Sequence, residues 1–140
     1  EESRLLQAIK SDPSDAEIHA RLGLIFQQHN KKEEAANSYR AALQVNPGFA
    51  SVHVNLGVVL SDSGEKLEAE ERFRLAAELD PGLVNARINL GTMRGHRLYD
   101  GGKLAEAEIY LRMAVEAAPP AQAAQWGGDH NVLGMLLAHR

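Results

Sequence analysis

Residues 20–48 read ARLGLIFQQHNKKEEAANSYRAALQVNPG, and residues 54–82 read VNLGVVLSDSGEKLEAEERFRLAAELDPG. The two stretches have the same length and share few letters, but the shared letters fall at identical offsets. Leu22-Gly23, Leu56-Gly57 and Leu90-Gly91 are each 34 residues apart, and a further Leu-Gly follows at Leu133-Gly134. Ala35 answers to Ala69, Tyr39 to Phe73, Ala42 to Ala76, and Pro47-Gly48 to Pro81-Gly82. In a third copy Ala107, Leu111, Ala114 and Pro119 take these places, shifted by four residues. A fixed period of this size marks a stacked-repeat architecture, in which no single copy can bury its own apolar face.

Each copy reads as two antiparallel helices. Ile18, Leu22, Ile25 and Phe26 recur at helical spacing, and so do Ala35, Ala36, Tyr39, Ala42 and Leu43. Glycine and alanine mark where the helices approach closely, and Leu22 and Tyr39 fill the space on either side. Pro47 ends the second helix, because the residue before a proline is pushed out of the helical region, and Gly48 is expected to take the turn that follows. Asn46-Pro47-Gly48 and Asp80-Pro81-Gly82 therefore read as turns between repeats rather than linkers between domains.

The pattern Leu-Gly, Ala, Tyr or Phe, Ala, Pro at this period resembles the tetratricopeptide repeat family. The resemblance implies an all-α, right-handed solenoid of helix pairs. Repeats are read at residues 16–49, 50–83 and 84–121, the third with four additional residues around Leu98-Tyr99-Asp100-Gly101 that lengthen a helix or swell the turn. Residues 1–15 read as the second helix of an incomplete repeat, and residues 122–140 as a linker and the first helix of another. Three positions before each Leu, where the family favours Trp, stand His19, His53, Arg87 and His130. These are read as half-buried polar fillers.

Composition narrows the function. Of 140 residues, 15 are Lys or Arg and 19 are Asp or Glu, giving a net charge of −4 with the basic residues scattered. That distribution argues against a nucleic-acid partner. Cysteine is absent, which removes disulfides, thiolate metal sites and cysteine nucleophiles while leaving the compartment open. No stretch reaches the roughly 20 apolar residues of a membrane span. The six histidines include no i, i+4 pair of the kind that binds metal on a helix. Gly101-Gly102 lacks the preceding strand of a phosphate-cradling loop. No catalytic residue, metal site or cofactor is expected. Glu17 with Arg21, Glu68 with Arg72, Glu70 with Arg74 and Glu108 with Arg112 read as i, i+4 pairs on solvated faces.

In the family the first helix of each repeat lines the concave side. Carried over residue by residue, that places Glu17, Ala20, Arg21, Leu24 and Gln28 in the groove, then Ser51, Val54, Asn55, Val58 and Asp62, then Asn85, Ile88, Asn89, Thr92 and His96. The partner-binding residues expected from this set are Arg21, Leu24, Gln28, Val54, Asn55, Val58, Ile88, Asn89 and Thr92. Leu24, Val54, Val58 and Ile88 form an apolar rib, and Asn55 and Asn89 can each offer a peptide backbone one acceptor and two donors. Relatives that grip the carboxylate tail of chaperones use a cluster of Lys, Arg and Asn at the positions held here by Ala20, Leu24, Asn55, Asn85 and Asn89; only Asn55 fits and the cations are missing, which disfavours that role.

Three functions follow as expectations. The first is a non-catalytic scaffold binding an extended peptide or partner segment. The second is a subunit stacking head to tail through Leu5, Leu6 and Ile9 of one copy and Leu133, Leu136 and Leu137 of the next. The third is an accessory repeat arm of a larger enzyme such as a glycosyltransferase. The partner is a protein or peptide in the first case and the chain itself in the second; direct membrane insertion is not expected.

Overall fold

The computed structural model describes residues 2–117, and every regular element in them is helical. The order is α1 Glu2–Ser11, α2 Ala16–Gln28, α3 Lys32–Val45, α4 Ala50–Asp62, α5 Lys66–Leu79, α6 Val84–Asp100 and α7 Leu104–Ala117. The chain forms two compact units, Glu1–Asp80 and Pro81–Arg140. The boundary falls at the second of the two proline turns.

In the first unit α2 pairs with α3 and α4 with α5, α3 packs on α4, and α1 packs on α2. Each hairpin is organised around one aromatic ring laid on one glycine. Tyr39 and Phe73 are 0% and 2% exposed. A Cβ built on Gly23 would lie 2.5 Å from Tyr39 Cε1, and one on Gly57 2.6 Å from Phe73 Cε1. Only a residue without a side chain permits the two helices to cross at that distance. Ala35, Ala42, Ala69 and Ala76 are fully buried around the rings. The Tyr39 hydroxyl donates to Gln27 Oε1 at 2.7 Å, and its burial pushes the phenol up to about 12. Phe73 carries no hydroxyl, and Ser61 stands where that glutamine would be.

The turns inside the hairpins share a second device. Among the described residues Asn30, Gly64 and Gly102 have left-handed φ, at 59°, 87° and 80°. In each turn the next N–H reaches back five residues, from Lys31 to Phe26 O at 2.8 Å, Glu65 to Leu60 O at 2.9 Å and Lys103 to Leu98 O at 2.8 Å. A second bond closes each turn, from Asn30 to Gln27 O, Gly64 to Ser61 O and Gly102 to Tyr99 O. This is the Schellman pattern, and it satisfies the carbonyls that the first helix leaves open. From the sequence, Gly48 is the glycine expected to take a special turn. It lies outside the left-handed region, and its N–H donates to Asn46 Oδ1 at 3.2 Å.

The residues before Leu22 and Leu56 are more than fillers. His19 Nε2 donates to Pro13 O at 2.8 Å, and His53 Nε2 donates to Pro47 O at 2.9 Å. Each ring ties the incoming proline turn to the helix that follows. His53 is buried, and His19 is partly exposed.

In the second unit, α6 has 17 residues where α2 and α4 have 13, so the four additional residues are taken up as one further turn of helix. The close contact moves with it. A Cβ on Gly95 would lie 2.5 Å from Leu111 Cγ. Gly95 and Leu111 are 16 residues apart, as are Gly23 and Tyr39, and Gly57 and Phe73. The third Leu-Gly therefore sits one turn upstream of the crossing; there a Cβ on Gly91 would lie 3.0 Å from Tyr110 O. Leu90 is partly exposed, whereas Leu22 and Leu56 are 3% and 0% exposed. Arg94 occupies their place beside Gly95, with its guanidinium 5.7 Å from the centre of the Tyr110 ring.

Of the expected ion pairs, Glu17–Arg21, Glu68–Arg72 and Glu108–Arg112 form at 3.3, 3.7 and 2.9 Å. Glu108 is 7% exposed, so its pair does not mark a solvated face. Arg74 engages Glu71 and Glu78.

Two stability predictions follow from the hairpins. Gly57→Leu drives a side chain into Phe73 and lowers stability by about 1–3 kcal/mol or more, read as a fall in Tm; an unchanged melt would contradict the crossing. Gly64→Ala forces alanine into the left-handed region and costs about 1 kcal/mol, whereas Asn30→Gly relieves that conformation and stabilises by a fraction of this. Urea unfolding of the two variants should shift the midpoint in opposite directions.

Candidate partner-binding groove

The nine expected groove residues differ in what a partner could reach. On α2, Arg21, Leu24 and Gln28 are exposed, Leu24 at 45%. Arg21 bonds Glu17 Oε1 at 3.3 Å, with both side chains well solvated. A pair of that kind contributes between nothing and about 1 kcal/mol, so its arginine can be redirected to a ligand at small cost. On α4, Asn55 and Val58 are partly exposed, whereas Val54 is 7% exposed and belongs to the packing. On α6, Asn89 and Thr92 are partly exposed, and Ile88 is 2% exposed. Of the apolar rib, Leu24 and Val58 remain as surface, whereas Val54 and Ile88 are each buried within their own units.

Among the described residues, no side-chain hydrogen bond engages the amide of Asn55 or of Asn89. Neither amide is fully buried, and neither is among the buried polar groups lacking a partner. Each is therefore a solvated donor–acceptor set on a helix that packing already holds. The extra turn of α6 changes how the two compare. Asn55 lies two residues before Gly57, and the residue two before Gly95 is Met93. Relative to its own partner helix, Asn89 lies one turn upstream of the place that Asn55 holds on α4, along the same stripe.

Sequence reasoning gives no weight to the opposite side of α6. Arg87, Leu90, Gly91 and Arg94, together with Tyr110 and Met113 of α7, line a recess of about 100 Å³. The available signal is the second glycine, Gly95, which frees Leu90-Gly91 from the crossing. Among the described residues no cluster of three or more His, Cys, Asp or Glu is placed to hold a metal. No described helix is long and apolar enough to cross a membrane.

The expected end-to-end residues are only partly on view. Leu5 is 8% exposed on the helix that packs on α2, so it is covered within the chain, contrary to the expectation that it waits for a second copy. Leu6 is 42% exposed and Ile9 partly so. Leu133, Leu136 and Leu137 lie outside the described residues, as do His130 and the incomplete repeat assigned to residues 122–140.

Comparison with known proteins agrees with this architecture. The sequence profile of the tetratricopeptide repeat matches residues 21–84. No curated protein matches the chain. Among solved structures, the chain superposes on MamA with a TM-score of 0.72 at 23% identity, over 89% of this chain and 70% of that one. A second structure of MamA gives a TM-score of 0.70 at 23% identity, over 90% and 66%. YrrB, described as a TPR protein with an unusual peptide-binding site, gives 0.72 at 23% identity, over 96% of this chain and 65% of that one. The chain thus spans about two thirds of these relatives' length, and at this identity the likeness is one of fold: an all-α solenoid of helix pairs. The repeat profile, the ring-on-glycine hairpins and these neighbours agree, and residues 21–84 carry the tetratricopeptide repeat.

Proposed function

We propose that the chain is a non-catalytic interaction scaffold that holds an extended peptide segment across α2 and α4 of its first unit. The observation that carries this is the Asn55 amide, partly exposed and without a side-chain hydrogen bond among the described residues. On the same two helices Leu24 is exposed and Val58 partly exposed. An amide can accept from a peptide N–H and donate to a peptide C=O at once, so it holds backbone of any sequence. Leu24 and Val58 add apolar contact for alternate side chains, and Arg21 can exchange its exposed pairing with Glu17 for an acid on the ligand. Asn89 and Thr92 offer the same kind of polar contact on α6. The match of residues 21–84 to the tetratricopeptide repeat profile, and the fold shared with YrrB, a TPR protein with an unusual peptide-binding site, support the reading without identifying the ligand.

Selection of peptides from a random library on the immobilised chain, followed by calorimetry, tests this. Asn55→Ala should weaken the selected peptides by roughly tenfold, the loss of one or two hydrogen bonds, while leaving Tm within the range of an ordinary surface change. Equal binding by Asn55→Ala, or a bound structure with the peptide away from α2 and α4, would refute it. Self-association is the competing reading, favoured by the exposure of Leu6 on α1. Light scattering across concentration separates the two: a mass that rises for the parent and not for Leu6→Asp supports stacking.

A further inference from the structure

We propose that His53 is a pH-sensitive latch on the turn between the first two hairpins: neutral, it fastens residues 46–49 to α4, and protonated, it lets that turn and the first turn of α4 open. This goes beyond the peptide-binding reading and does not depend on it.

The latch is visible in the bonding. The Nε2–H of His53 donates to Pro47 O at 2.9 Å, which fixes the tautomer and leaves Nδ1 as a lone-pair acceptor. The ring is 4% exposed, and Nδ1 is buried without a hydrogen-bond partner. Arg72 on α5 is the charge that acts on the ring, and its Nε–H is likewise buried without a partner. Glu68, also on α5, approaches Arg72 at 3.7 Å and is shared with Arg40 of α3 at 3.2 Å. No ionisable group of α2, the remaining helix packed on α4, acts on the ring among the described residues.

In the neutral state a buried acceptor on His53 and a buried donor on Arg72 are complementary in sign. Protonation turns Nδ1 into a second donor with no acceptor to meet it, beside a fixed cation and out of water. Both effects oppose the charged imidazole, desolvation being the larger, and hold its pKa below the usual 6.5 even though the Pro47 carbonyl favours the proton. The ring gains its ordinary proton affinity only when the site opens. The unfolded or locally open chain binds more protons than the closed one at pH values between the folded pKa and 6.5. Stability of the closed turn is therefore full above 6.5, falls as pH drops through that window, and levels off below the folded pKa.

His19 is a built-in control. It makes the same bond, Nε2 to Pro13 O at 2.8 Å, on a ring that is partly exposed, and its Nδ1 is not among the described buried atoms that lack a partner. Solvation of its second ring nitrogen does not require that turn to open.

Amide hydrogen exchange, corrected for intrinsic rates, tests the proposal between pH 7.5 and 5. The N–H groups of Phe49, Val52 and His53, bonded to Asn46 O, Phe49 O and Phe49 O, should open more readily below pH 6.5, by up to about tenfold per pH unit for one proton. The amide of His19, bonded to Asp15 O, should not follow. His53→Gln removes the titration and should abolish the pH dependence. If that variant fails to fold, imidazole NMR on the parent decides, with Arg72→Gln raising the His53 titration toward 6.5. A His53 that titrates at or above 6.5 in the parent, or exchange at residues 49–53 that is insensitive to pH, overturns the latch.

Discussion

The structure depends on a single contact made repeatedly, a large side chain laid directly on a backbone that has no Cβ. Gly23 under Tyr39 and Gly57 under Phe73 set how closely each pair of helices crosses, and Gly95 under Leu111 does so in the second unit. Removing a buried ring of this kind costs on the order of 3–5 kcal/mol. The exposed Arg40–Glu68 bridge between α3 and α5 contributes at most about 1 kcal/mol. The difference decides where the fold is specified. Charges on the outside can change freely, but the pairing of ring and glycine cannot.

Once the crossing is fixed, the polar backbone at the helix ends must be satisfied, and the chain does so with two local devices. Inside each hairpin a left-handed residue lets the following N–H cap the end of the first helix. At the entry to α2 and to α4 a histidine closes on a proline carbonyl that has no neighbouring helix to bond it. The two devices differ in robustness. A backbone cap is indifferent to pH, whereas the buried His53 ring, on the proposal above, holds its turn fully only while it is neutral.

What is legible in the sequence follows the same division. The period, the helix pairs and the ring-on-glycine contact can be read from Leu22-Gly23, Tyr39, Leu56-Gly57 and Phe73, because packing admits few residue types there. The third hairpin misleads because both Gly91 and Gly95 are glycines one turn apart, and the letters alone favour the one that follows leucine. The left-handed turn is hidden by Asn30, which breaks the glycine pattern of Gly64 and Gly102. The histidine bonds leave a visible trace, the equal spacing of Pro13 to His19 and Pro47 to His53, but composition does not reveal where a ring nitrogen points.

The groove is the least legible part, for a physical reason. An apolar residue at the edge of a helix's buried stripe looks the same whether it supports a neighbour or meets a ligand, and Val54 and Leu24 are indistinguishable until the packing separates them at 7% and 45% exposure. The expected groove residues of the first unit that stay outside the packing are Arg21, Leu24, Gln28, Asn55 and Val58, each on a helix whose opposite side is held by the crossing. They can vary without loosening the fold, because the crossing holds the backbone from the other side. On the proposed peptide-binding reading, the Asn55 amide would address the backbone that every peptide shares, and Leu24, Val58 and the exchangeable charge of Arg21 would set preference among sequences.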